Sequence, residues 1–293
     1  MEDQATGSAR DAHSLPMCYR HPDRETGVRC TRCERPICPE CMVSASVGFQ
    51  CPECVRGTTP GQSGPPPADT RPRTIAGGTV TADPRLLTKI LIGVNVAIFL
   101  VQVSVGWSFT GDFELFGRIG VEGVAEGQYY RLLTAMFLHD PQQYTHIAFN
   151  MLSLWWIGGP LETALGRARY FTLYFVSGLA GSALTYLLSS PTSASLGASG
   201  AIFGLFGATA VLIRRLNYDM RPIIALLVIN LIFTFHGGIA WQAHIGGLVA
   251  GVVTGYAMVH APRERRNLIQ CGTCALVLVA ALVITVIRTA QLT

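Results

Sequence analysis

Two polar side chains stand at the openings of strongly apolar segments, where they could do nucleophilic chemistry. Ser199 lies within Gly197-Ala198-Ser199-Gly200, and His244 begins another apolar stretch. Serine and histidine are costly to keep in hydrocarbon, and polar groups at such positions mark functional sites. A serine between glycines, together with one histidine, predicts a nucleophile and its general base.

A second pair of polar residues could stabilise the anion that such a reaction forms. His146 and Asn150 lie one helical turn apart, so they share a face of one predicted helix. A histidine ring nitrogen and an asparagine amide can each donate a hydrogen bond to a developing oxyanion. Backbone N–H groups at the start of a helix beginning at Ser199 can do the same. Together these residues predict an acyl-transfer site.

The amino-terminal region carries a different chemistry, based on cysteine. Seven of the nine cysteines lie between Cys18 and Cys54, and with one histidine they form four pairs separated by two-residue gaps. The eight potential ligands are Cys18, His21, Cys30, Cys33, Cys38, Cys41, Cys51 and Cys54. Eight soft ligands fill two tetrahedral zinc sites. A single zinc with spare cysteines is the alternative.

The spacing of the pairs favours interleaved zinc sites. The second and third pairs are only four residues apart, which predicts one metal on Cys18, His21, Cys38 and Cys41 and another on Cys30, Cys33, Cys51 and Cys54. This pattern resembles the B-box type of zinc finger. Few large apolar residues lie in this region, so metal binding would supply much of its folding free energy. Regulation or binding of a cytoplasmic protein partner is the role we expect, since nothing here points to catalysis.

The composition is that of a membrane protein. Hydrophobic residues make up 49% of the chain and charged residues only 14%, unlike an average soluble protein. The net charge of +4 is too small and diffuse to indicate a nucleic-acid partner. The amino terminus has no apolar stretch before a cleavage site, so no secretory signal peptide is predicted.

Three regions follow one another along the chain. Residues 1–56 form the expected zinc-binding domain, 57–84 a flexible linker rich in proline and glycine, and 85–293 an all-α polytopic transmembrane domain. The seven predicted membrane segments are 89–107, 146–164, 169–188, 199–213, 221–236, 241–260 and 268–288. The apolar residues of the long loop 108–145 predict that it lies in the membrane interface.

The arginine residues predict the orientation of these segments. Basic residues occur before the first segment and in every second loop after it, whereas the loops 189–198 and 237–240 carry none. Because basic loops stay inside, the amino terminus is predicted to be cytoplasmic and the carboxyl terminus external. His146, Ser199 and His244 then gather at one depth near the external face of the cell membrane.

The motifs of residues 85–288 resemble those of the rhomboid intramembrane serine proteases. The matching stretches are Gly-Ala-Ser-Gly at 197–200, Ala243-His244-Ile-Gly-Gly247 with Gly251, His146-x-x-x-Asn150, and Gly158-Gly-Pro-Leu-Glu162-x-x-x-Gly166. The resemblance implies a Ser199–His244 dyad without a carboxylate or a catalytic metal. It also implies an oxyanion site built from His146, Asn150 and the amides of Ala198 and Ser199. The fold that the resemblance implies for this chain is a rhomboid-like six-helix core, with a seventh helix appended at the carboxyl end.

Two positions depart from the pattern of that family. The family usually has Trp-Arg in the first external loop, where this chain has Tyr130-Arg131. Four residues after the serine the family often has tyrosine, where Phe203 stands here. A phenylalanine ring can still stack on His244 but lacks the hydroxyl. Neither change removes a reacting group.

We therefore expect a serine endopeptidase that cleaves transmembrane protein substrates within the lipid bilayer, near the external face. The first alternative is a non-catalytic relative that binds or escorts membrane proteins; such relatives lack the serine or the histidine, and both are present here. The second is a transporter or channel, which predicts deep charges in several helices or paired broken helices, and the sequence has little of either.

Several other residues have simpler interpretations. Glu162 is expected to be a structural partner of a backbone or an arginine. His139 and His236 lie near loop ends and are expected to be interfacial or capping histidines. Cys271 and Cys274 lie in an apolar helix, so small hydrophobic packing is favoured over metal or redox chemistry.

Overall fold

The computed structural model describes residues 15–45, 47–56, 73–236 and 240–293. The chain divides into two units, Met1–Thr70 and Arg71–Thr293. The side chain of His236 lies outside the described part, so the interpretation of that residue is not taken further.

The described part of the first unit contains little regular structure. Strands β1 (Val43–Ser44) and β2 (Phe49–Gln50) pair in antiparallel register, and the short helix α1 (Pro52–Arg56) follows them. Its buried hydrophobic cluster consists of Ile37 and the cysteines Cys18, Cys30, Cys38, Cys41, Cys51 and Cys54. Thiols therefore take the place of the usual large apolar side chains at the centre of this unit.

The second unit is helical. Its helices are α2 (Leu86–Val105), α3 (Trp107–Phe113), α4 (Arg131–Thr134), α5 (Tyr144–Leu165), α6 (Arg167–Leu188), α7 (Ser199–Arg215), α8 (Arg221–His236), α9 (Trp241–His260) and α10 (Arg266–Leu292). The seven long helices α2 and α5 to α10 start within three residues of the predicted segments, which confirms the expected helical architecture. Among the described residues, α2, α6, α9 and the stretch Arg263–Leu292 are long and apolar enough to cross a membrane.

Glycines bring α9 against α7. A methyl group added at Gly247 or Gly251 would clash with the backbone oxygen of Gly200 or Gly204, and one at Gly255 would lie 2.7 Å from Ala208. Glycines four residues apart therefore form a bare stripe along α9, which lets the two helix backbones approach closely, as small residues do in membrane helices. This contact sets the separation between the amino-terminal ends of α7 and α9.

A buried carboxylate fixes the start of α2. The Glu162 oxygens accept hydrogen bonds from the backbone N–H groups of Leu87 and Thr88 at 3.0 and 2.9 Å, and from the Thr88 hydroxyl at 2.9 Å. The first N–H groups of a helix have no partner inside it, and a negative charge there is favourable. Glu162 thus has the structural role that the sequence suggested.

The expected linker 57–84 differs from the structure in its second half. Residues 57–72 lie outside the described residues, but those from Arg73 onward belong to the second unit and pack against its helices. Ala76 is fully buried, and its carbonyl accepts a hydrogen bond from the Gln270 side chain at 3.1 Å. Gly78 lies against the backbone of Leu165. Composition predicted a flexible stretch here because a contact made by backbone and small side chains leaves no apolar pattern.

Candidate functional site

Ser199 is the first residue of α7, and the backbone before it makes a sharp turn. Gly197 has a φ of +137°, a conformation that residues with a Cβ rarely adopt. Its N–H donates to the Ala135 carbonyl at 2.9 Å. Ala198, which is fully buried, precedes the helix directly. The amides at the start of α7 have no partners within the helix, so this turn suits a developing oxyanion.

His244 meets Ser199 directly. The distance from His244 Nε2 to Ser199 Oγ is 2.6 Å, within reach for proton transfer between a nucleophile and its base. His244 lies in the first turns of α9 and is only 3% exposed. Its ring stacks on that of Phe203, with centroids 4.2 Å apart and planes at 7°. Ser199 and Phe203, one turn apart on α7, therefore contact the same imidazole.

His146 and Asn150 approach the site from α5. A methyl group added to Gly197 would lie 3.2 Å from His146 Nε2 and 3.4 Å from Ser199 Oγ. The ring and the hydroxyl therefore converge on one face of Gly197. Asn150 is buried one turn further along and donates an amide hydrogen to the His146 carbonyl at 3.1 Å. An asparagine amide carries a second N–H.

An open pocket lies beside Ser199. Its walls are mostly small residues, among them Gly178, Ser182, Gly200, Ala240 and Ala243. Ser195 and Gly197, from the loop before α7, also line it. The nucleophile candidate therefore borders a pocket whose walls are mostly small side chains.

His139 is a buried neighbour of the site that sequence reasoning missed. It is fully buried, although its position near a loop end suggested an interfacial histidine. Its ring centroid lies 5.1 Å from that of His146, and its backbone exchanges two hydrogen bonds with the Gln102 side chain, at 2.8 and 2.9 Å. Burial lowers the pKa of His139 to about 3, so the ring is neutral near pH 7. The sequence carries no signal for this, because the contacts of His139 with Phe99 and Gln102 of α2 join positions that are far apart in the chain.

The two cysteines of α10 differ in exposure. Cys271 is exposed and Cys274 is buried. Cys274 packs in the apolar core of the second unit, as the sequence suggested.

The eight ligand candidates of the first unit lie in two groups of four. One group is Cys18, His21, Cys38 and Cys41, and the other is Cys30, Cys33, Cys51 and Cys54; within each, the ligand atoms lie within 4.8 Å of one another. These are the groups that the spacing predicted. Three of the four residues in each group are buried. Cys₃His and Cys₄ sets of this size fit a tetrahedral soft-metal site such as zinc.

Backbone hydrogen bonds favour the charged form of one thiol in each group, Cys18 and Cys30, whereas burial raises the pKa of Cys33 and Cys41. Burial alone would raise the pKa of the Cys18 thiol, but hydrogen bonds from the backbone of Arg20, Cys38 and His21 outweigh it and lower the pKa to about 6. In the other group, the Cys51 N–H donates to Cys30 Sγ at 3.2 Å. Since the thiolate is the metal ligand, these hydrogen bonds suit a cation-binding site.

Comparison with known proteins identifies similar chains. The family profile for the Rhomboid domain matches residues 126–261. Rhomboid protease GluP of Bacillus subtilis (strain 168) is 34% identical over 178 residues, covering 58% of this chain and 34% of GluP. The protein named "Putative rhomboid protease YdcA" of the same organism is 35% identical over 150 residues, covering 49% of this chain and 74% of that protein. Rhomboid protease AarA of Providencia stuartii is 28% identical over 219 residues, covering 64% and 77%.

The chain spans only about a third of GluP but about three quarters of YdcA and AarA. The matched Rhomboid domain includes all five residues of the candidate site, which are His146, Asn150, Ala198, Ser199 and His244.

Proposed function

The chain belongs to the rhomboid family and is a multi-pass membrane protein, and on that premise we propose that it is a serine endopeptidase working through a Ser199–His244 dyad. The observation that carries this proposal is the 2.6 Å distance between His244 Nε2 and Ser199 Oγ. The stacked Phe203 ring supports it by holding the imidazole in one orientation. A non-catalytic relative that only binds membrane proteins would not require His244 in contact with Ser199 beside a pocket.

The proposed reaction proceeds by acyl transfer. His244 Nε2 accepts the Ser199 proton while Oγ attacks the peptide carbonyl carbon. The resulting oxyanion accepts hydrogen bonds from the amides at the start of α7, from His146 and from the second N–H of Asn150. The C–N bond then breaks, and His244 gives its proton to the leaving amine. Water gives a proton to His244 and attacks the acyl carbonyl, which releases the acid and restores Ser199.

The proposed substrates are transmembrane proteins. A stable helix keeps its carbonyls hydrogen-bonded within itself, whereas an unwound segment presents one to the serine. The small walls of the pocket, such as Gly200 and Ala243, favour a small side chain next to the cleaved bond. We place the cut near the external face of the cell membrane, with a cytoplasmic amino terminus and an external carboxyl terminus, on the arginine distribution.

We also propose that the two groups of the first unit bind structural zinc. The residues Cys18, His21, Cys38 and Cys41 would hold one ion, and Cys30, Cys33, Cys51 and Cys54 the other. Zinc would supply folding free energy to a unit with few large apolar residues and takes no part in the dyad. The role proposed for the folded unit is binding of a cytoplasmic protein.

Labelling with a serine-reactive fluorophosphonate tests the proposed nucleophile. The full-length protein in detergent should be labelled at Ser199 and the Ser199→Ala variant should not be. Ser193→Ala, which changes an exposed serine of the neighbouring loop, is the matched control and should be labelled like the parent. Absence of labelling in a folded parent protein, or equal labelling of Ser199→Ala, would contradict the proposal.

A further inference from the structure

The carboxyl-terminal end of α10 contacts two loops on the side of the molecule where α7 begins. The Leu292 carbonyl accepts a hydrogen bond from Arg118 Nη1, in the loop between α3 and α4, at 2.7 Å. Arg288 Nη2 donates to the Ser189 carbonyl, where the loop between α6 and α7 starts, at 3.2 Å. One helix end therefore bonds to the α3–α4 loop and to the α6–α7 loop.

The side chain of Leu292 adds an apolar contact to these hydrogen bonds. It is partly buried against a separate small cluster of buried residues, which are Leu115, Val124, Ala135 and Tyr186. This cluster joins the α3–α4 loop to the end of α6. Removal of Leu292 would uncover it, because the leucine is one of its peripheral members.

The two loops are also bonded to each other. Leu115 and Ser195 exchange backbone hydrogen bonds of 2.9 and 2.8 Å. The Pro191 carbonyl accepts from the N–H groups of both Gly117 and Arg118 at 2.8 Å. The loops are therefore joined into one layer, and α10 bonds to both of them.

The α6–α7 loop leads directly into the turn before Ser199. In that turn the Gly197 N–H donates a hydrogen bond to the carbonyl of Ala135, which belongs to the small apolar cluster. We propose that Arg288 and Leu292 are positioning residues: the end of α10 holds the two loops so that Ser199 stands in reach of its base. This inference rests on the proposed function. It assigns to the seventh helix, which lies outside the six-helix core, a part in the reaction.

The test compares variants of the full-length protein. Arg288→Ala removes the hydrogen bond to the Ser189 carbonyl, and Arg288→Lys keeps a cation that can still donate to it. Leu292→Ala removes the apolar contact with the small cluster but keeps the backbone carbonyl that Arg118 contacts. The matched controls are Leu282→Ala and Val286→Ala, at residues of α10 that are 62% and 57% exposed. Each variant is first compared with the parent in thermal unfolding in detergent.

Two readouts separate positioning from a merely structural role. The first is the second-order rate constant of fluorophosphonate labelling, measured together with the fraction labelled at saturation. We expect the rate constant to fall about tenfold in Arg288→Ala and Leu292→Ala, with the labelled fraction unchanged, and Arg288→Lys to recover most of it. The second is hydrogen exchange at the amides of Leu115, Gly117 and Ser195, which should become faster in the alanine variants but not in the controls.

Other outcomes would overturn the inference. A smaller labelled fraction with an unchanged rate constant means that the contacts only stabilise the fold. Faster exchange with unchanged labelling means that the loops do not position Ser199, and unchanged exchange means that α10 does not hold them. Failure of the proposed function itself appears earlier and separately, as a parent protein that is not labelled at Ser199, and it would remove the positioning role as well.

Discussion

The contact with Phe203 constrains the ring of the proposed base, His244. Their rings are parallel to within 7°, and such aromatic pairs contribute about 0.5–1.5 kcal/mol beyond burial. We therefore expect Phe203→Ala to lower kcat/KM about 2- to 10-fold, with Phe203→Tyr close to the parent, because tyrosine keeps the ring.

Phe175 supplies the control for that substitution. It is a phenylalanine of α6 whose ring contacts Phe137 and Phe171 and packs against the core, so Phe175→Ala also removes a ring from the core. Rates are compared per active site, after titration with fluorophosphonate. If Phe203→Ala turns over at the parent rate per active site, the stacking does not orient His244.

The buried His139 should make the stability of the fold sensitive to acid. Its pKa of about 3 in the folded protein lies below its ordinary value of 6.5, with burial the main cause. The unfolded chain therefore binds the proton more readily, so this contribution to stability is complete above pH 6.5 and is lost as the pH falls toward 3. A single such group changes the free energy of unfolding by about 1.4 kcal/mol per pH unit in that window.

Thermal unfolding of the detergent-solubilised protein between pH 7 and 4 measures this effect. His139→Phe should flatten the pH dependence of Tm relative to the parent. His260→Phe, at an exposed histidine of α9, should leave it unchanged. Equal slopes for the parent and His139→Phe would mean that other groups cause the acid sensitivity.

At the level of residues, the sequence identified the polar groups with recognisable neighbours but not those buried by distant contacts. Ser199 and His244 stood out because both interrupt apolar segments next to glycines. His139 did not, because its neighbours Phe99 and Gln102 lie about 40 positions away in the chain. Long-range contacts of this kind leave no local pattern in the sequence.

The close packing of α7 on α9 is the feature of the helices on which the site depends. A Cβ at Gly251 would clash with the backbone of Gly204, and separation of the helices would move His244 away from Ser199. We expect Gly251→Val to destabilise the protein by about 1–3 kcal/mol and to reduce the labelling of Ser199. Gly93→Val is the control, since a Cβ there meets nothing within 4 Å.

If Gly251→Val and Gly93→Val lost the same stability, the cause would be the valine itself rather than the contact between α7 and α9.

The sequence predicted this contact, because glycines spaced four residues apart on an apolar helix indicate a close approach of a neighbouring helix. It predicted the helix boundaries to within a few residues. It did not predict that the stretch around Ala76 packs on the second unit, since that contact is made by backbone groups.

At the scale of the whole molecule, we propose separate chemistries for the two units. We expect two zinc ions per chain by elemental analysis, fewer in Cys30→Ser, and no change in Cys271→Ser, a cysteine that lies in α10 outside both groups. A chain that begins at residue 71 should retain the parent kcat/KM without zinc. One that begins at residue 80 should melt at a lower temperature, because it lacks the buried Ala76.

A chain beginning at residue 71 that folds but is inactive would contradict the separation. The first unit would then take part in catalysis. A zinc content near one ion per chain would instead favour the single-site alternative.

Cleavage of a single-span membrane protein by the purified chain in liposomes tests the proposed peptidase most directly. Mass spectrometry of the two fragments gives the position of the cut. We expect a cut within or at the external edge of the substrate's membrane segment, and a rate at least about 10³-fold lower for Ser199→Ala, for His244→Ala and, to the same extent, for the double variant. Cleavage at the parent rate by folded Ser199→Ala, or fragments cut only in a soluble domain, would contradict it.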